Sequence, residues 1–198
     1  HGLLRAHQQL LAEQPEWQLA LCATMETLAL WRHHDLCLLS PRDNYAHPVA
    51  VWRSPTDHAP HRRLLMWNAD DTLLAACTSQ GVVHVLDSRA KLLHTVPPPV
   101  WMELPTGSAA AADPPSLVAI AWREPTGSKG IASELLLLCS DAVLRRLTVP
   151  SAATAAVHGT KPAAAAGLAI QLAAQHAQVS CLAYDDASGL LAIGGGGS

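Results

Sequence analysis

"TLLAACTSQGVVHVLDS", residues 72–88, decides the fold. Two apolar runs flank Ser79-Gln80-Gly81, a turn-sized break whose glycine opens backbone conformations closed to other residues. The second run closes on Leu86-Asp87. With its flanks the stretch contains four apolar runs, at 64–67, 72–77, 82–87 and 92–96. They are separated by Asn68-Ala69-Asp70-Asp71, Thr78-Ser79-Gln80-Gly81 and Ser88-Arg89-Ala90-Lys91. Each run has the usual strand length and each gap is hairpin-sized, so the segment reads as a four-stranded antiparallel meander. One meander has two apolar faces that it cannot bury alone. It needs neighbours of the same kind.

The neighbours are present. "SLVAIAWRE" (116–124) followed by "SELLLLCSDAVLRRLTV" (133–149) repeats the pattern with a longer first loop. Trp122 takes the place of Trp67, Leu135 to Cys139 that of Leu73 to Cys77, and Val143 to Val149 that of Val82 onward. A third copy opens at "QVSCLAYDDASGLLAIGGG" (178–196), with Tyr184 standing for the tryptophan. A more degraded copy comes first: "WQLALCATMETLALWRHHDLCLLS" predicts strands near 17–22, 27–32 and 35–40, and "AVWRS" a fourth near 50–54. Four-stranded units at this spacing are the signature of propeller blades. The expected architecture is all-β, a truncated propeller of about three blades and the start of a fourth. Blades are expected at about 17–57, 62–100, 116–174 and 178–198, after a lead-in over 1–16 that reads as a short helix ended by Pro15. Trp67, Trp122 and Tyr184 are the expected blade-core residues.

Two insertions, 97–115 and 150–167, are dominated by Pro, Gly and Ala and read as surface loops, with Trp101 and Met102 as a possible exposed anchor inside the first. A ring needs four to eight blades, so the chain reads as cut from a longer protein. In isolation it is expected to expose an unpaired blade edge and to dissolve poorly.

Composition narrows function by exclusion. Of 198 residues, 49% are hydrophobic and 15% charged, with six Trp, no Phe and a net charge of −3. That weak acidic balance gives no electrostatic reason to expect nucleic acid or anionic lipid as the main partner. Cys22, Cys37, Cys77, Cys139 and Cys181 are far apart, without a CxxC pair, and read as reduced core residues of a cytosolic protein. No stretch has the 18 to 20 apolar residues of a membrane-spanning helix; the most apolar, 163–174, is too short.

No chemistry stands out. His33-His34-Asp35 falls in a predicted turn, and His58 and His61 in a Pro-rich loop, where histidines are mostly solvated rather than metal-bound. HExxH, GxSxG and GxxxxGK[ST] are absent, and "TGSKG" (126–130) lacks the spacing of a phosphate loop. The expectation is no catalytic, cofactor or metal site. A ligand site at a central channel would want polar residues on the first strands, whereas "LLMW", "LVAIAW" and "VSCLAY" are nearly all apolar. Asp35 and Asp141, read in the turn between second and third strands, and Asp87, closing a third strand, are the expected structural aspartates that hold hairpin turns.

In order along the chain, "EWQLALCATMETLALW", "RRLLMWNADDTLLAACTSQGVVHVLDSRAKLL", "ASELLLLCSDAVLRRLTV" and "VSCLAYDDASGLLAIGG" resemble the N-terminal WD40-type β-propeller of the neuroblastoma-amplified sequence (NBAS) family. The Gly-His opening and true Trp-Asp ending of standard WD40 repeats are missing. The resemblance implies a non-enzymatic protein-interaction platform in a subunit of the NRZ tether, cytoplasmic and peripheral at the endoplasmic reticulum. It implies tether and SNARE subunits, syntaxin 18 among them, as partners in Golgi-to-ER retrograde transport, and a further tie to nonsense-mediated mRNA decay. The alternative is a WD40 scaffold of another trafficking or signalling complex.

Overall fold

The computed structural model describes residues 18–22, 24, 26–32, 34–54, 63–78, 80–98, 115–124, 132–150, 170–172 and 179–195. The lead-in over 1–16, most of both insertions, His33, His58, His61, Trp101, Met102 and 126–130 lie outside them.

Among the described residues there are four antiparallel sheets, each wired in strict sequence order. The first contains β1 (Gln18–Leu21), β2 (Leu28–Arg32), β3 (Asp35–Leu39) and β4 (Pro48–Arg53). The second contains β5 (Arg63–Trp67), β6 (Leu73–Thr78), β7 (Val83–Asp87) and β8 (Leu92–Val96). The third contains β9 (Leu117–Arg123), β10 (Ala132–Cys139), β11 (Val143–Pro150) and the two-residue β12 (Ile170–Gln171). β13 (Val179–Asp185) and β14 (Leu190–Gly195) pair as a fourth sheet of two strands. A 3-10 turn, Pro41–Asp43, sits between β3 and β4.

The stretch at 72–88 is the β6–β7 hairpin, and its turn chemistry is local. Gly81 adopts φ +87 and donates its N–H to the Thr78 carbonyl at 2.9 Å. Thr78 closes the loop twice: its N–H meets the Val82 carbonyl at 3.0 Å, and its hydroxyl accepts from the Val82 N–H at 3.2 Å. The pairing then runs from Cys77 opposite Val83 to Leu73 opposite Asp87.

The sheets stack face to face, with their first strands β1, β5, β9 and β13 as neighbours. Three apolar seams result. Between the first and second sheets, Trp31, Leu36, Leu38 and Trp52 meet Trp67, Leu74, Ala76 and Leu86. Between the second and third, Leu73, Ala75, Val83 and Val85 meet Ile120, Trp122, Leu135 and Leu137. Between the third and fourth, Ala119, Ala121, Leu136 and Leu138 meet Val179 and Leu182. Residues one apart on a strand point to opposite faces. A sheet covered on both sides therefore needs an unbroken apolar run, and Leu73–Thr78 is buried at every position. Four-stranded meanders stacked by their faces, first strands innermost, are consecutive blades of a β-propeller.

Candidate interaction surface

The innermost strands repeat one device. Trp67, at the end of β5, is 7% exposed and donates its indole N–H to the Ala20 carbonyl of β1 at 3.3 Å. Trp122, on β9, is 5% exposed and donates to the Met66 carbonyl of β5 at 3.0 Å. Each tryptophan thus spans the junction with the preceding blade, burying a large ring and satisfying its one donor in the same contact. Ladder register identifies the matching positions: Leu21 opposes Leu28, Trp67 opposes Leu74, Trp122 opposes Leu135 and Tyr184 opposes Leu191. Tyr184 is half-buried with the Arg123 guanidinium 5.9 Å from its ring centroid, while Leu21 is 53% exposed.

A second row of links joins the first loops of the blades. The buried Asp71 carboxylate accepts from the Thr24 N–H at 2.7 Å and, in a very short contact, from the Thr24 hydroxyl. Asp186 accepts from the Glu124 N–H at 2.9 Å. Glu124 accepts from the Ser133 hydroxyl at 2.9 Å. Burial is the main cause that raises its carboxyl above the ordinary glutamate value; Ser133 and Asn68 hydrogen bonds oppose the rise, and the Asp70 and Asp186 charges add to it. These loops carry Glu26, Asp70, Asp71, Glu124 and Asp186, and no Arg or Lys among the described residues; Lys129 lies outside them.

Between β1 and β5 the surface opens into a groove of about 350 Å³. It is lined by Leu19, Ala20 and Leu21 of β1, by Leu65, Met66 and Trp67 of β5, and by Asn68, Ala69 and Asp71 of the loop that follows β5.

The three aspartates differ in use. Asp87 Oδ1 accepts from the N–H groups of Arg89 and Lys91, both at 2.9 Å, and pins the β7–β8 turn. Asp141 lies in the β10–β11 turn, where Oδ1 accepts from the Val143 N–H at 3.1 Å. It also receives Arg145 through two nitrogens, at 3.1 and 2.7 Å. Asp35 departs from the turn expectation. The loop before it is two residues long, so Asp35 already sits in the ladder opposite Arg32. Its carboxylate takes the exposed Arg53 guanidinium at 2.8 Å instead of turn amides, and that bond holds it below its ordinary value.

Sequence reasoning missed several side-chain contacts. Arg145 is 2% exposed. Glu134 on β10 lies between Arg123 at 3.4 Å and Arg146 at 3.2 Å. Trp52 of the first blade packs on His84 of the second, ring centroids 4.8 Å apart. Among the described residues no group of three or more His, Cys, Asp or Glu side chains is placed to hold a metal. The five cysteines are free thiols; burial pushes Cys139 up to about 11 and Cys77 higher still, so neither is a poised nucleophile. Among the described residues no helix is long and apolar enough to cross a membrane.

Comparison with known proteins gives the blades a family. The chain is 30% identical over 97 residues to the human (Homo sapiens) NBAS subunit of the NRZ tethering complex, a match covering 49% of this chain and 4% of that protein. Among solved structures, Kluyveromyces lactis Hsv2 with its complete loop 6CD superposes with a TM-score of 0.54 at 12% identity, over 90% of this chain and 61% of that one. The C-terminal WD40 domain of Sif2 does so with a TM-score of 0.54 at 11% identity, over 89% and 54%. At such identities the likeness establishes the fold, a WD40-type β-propeller. Residues 17–198 match the family described as "Neuroblastoma-amplified sequence, N terminal", and the chain belongs to that family.

Proposed function

We propose that this chain is a non-enzymatic protein-interaction platform, the N-terminal propeller of a subunit of the NRZ vesicle tether. In this reading it acts in Golgi-to-ER retrograde transport, cytoplasmic and held at the endoplasmic reticulum through tether and SNARE partners such as syntaxin 18. A further role in nonsense-mediated mRNA decay belongs to the same proposal. The observation that carries it is the family match across 17–198, joined to the similarity with the human tether subunit. The surface agrees: the hub strands bear apolar side chains, and Asp71 and Asp186 of the first loops are spent on linking blades. Such a platform binds through a few exposed anchors.

The test is affinity purification of the full polypeptide from cells, with and without residues 17–195, followed by mass spectrometry. The proposal expects tether and ER SNARE subunits to be recovered and to be lost with the deletion. Recovery that survives the deletion would overturn the platform role of this propeller.

A further inference from the structure

We draw no further inference here: the strongest candidate, the apolar face of the first sheet on which Leu21, Val49 and Val51 are more than half exposed, carries nothing because nothing in the structure shows what covers it.

Discussion

The second and third blades differ from the first in one respect, and most of the molecule's properties follow from it. Leu74 and Leu28 occupy the same ladder position in successive blades, opposite Trp67 and Leu21. Leu74 is fully buried because the first blade covers that face; Leu28 is half-buried because its face meets no other described sheet. The contrast extends along the strands. β10 is buried at every position after its first, whereas β2 and β3 alternate between buried and more accessible positions, and β14 has no fully buried residue. Val49 and Val51 in the first blade and Leu190 in the fourth are more than half exposed. Among the described residues, burial is therefore densest in the sheets covered on both faces.

Truncating the same residue type on the two sides is the strongest way to break this contrast. Trp67→Ala and Leu74→Ala should each cost about 3–4 kcal/mol, through lost burial and a cavity that the stacked sheets cannot close. Leu28→Ala should cost less than about 1 kcal/mol, and Leu21→Ala about nothing, in urea unfolding. Equal losses at Leu28 and Leu74 would erase the distinction.

Arg145→Leu tests whether the middle blades also depend on a buried charge. Removing a 2%-exposed guanidinium strands the Asp141 carboxylate, but Asp141 retains some access to water. The expected loss is about 2–3 kcal/mol, below the usual cost of breaking a fully buried pair. A shift of the urea midpoint near zero would show that the pair is dispensable. Asp87→Ala comes next, at about 1 kcal/mol or more, because two turn amides lose their acceptor.

The smallest effect concerns the junction of the third and fourth blades. The Glu124 carboxyl is raised in the folded chain, so the fold holds its proton more tightly than the unfolded chain does. Below the ordinary glutamate range both states are protonated, and the group is neutral toward stability. As pH rises through that range the unfolded chain releases its proton first, so Glu124 opposes folding, fully so above its folded value. Glu124→Gln should accordingly raise the urea midpoint slightly at neutral pH, and the gain should disappear below about pH 4. A lower midpoint at neutral pH would contradict the assignment.

Strands and turns were legible because their causes are local. Gly81 and Thr78 close one hairpin with their own atoms, and the apolar runs at 64–67, 72–77, 82–87 and 92–96 lie within a residue of the four strands. Trp67 and Trp122 could be placed by analogy of position, yet their use as donors to the preceding blade depends on stacking that no single repeat encodes. Asp35 was misplaced because one residue of turn length decides whether an aspartate faces turn amides or a cross-strand arginine. The groove was illegible because it exists only once two segments distant in sequence, β1 and β5, lie side by side.

The central contrast, sheets covered on both faces against sheets covered on one, is tested most directly by native-state hydrogen exchange of this chain. The account predicts the slowest amides in β6 and β10, with opening free energies near the global value, and clearly faster exchange in β1, β13 and β14. Uniform protection across the four sheets, or slower exchange in β1 than in β6, would contradict it.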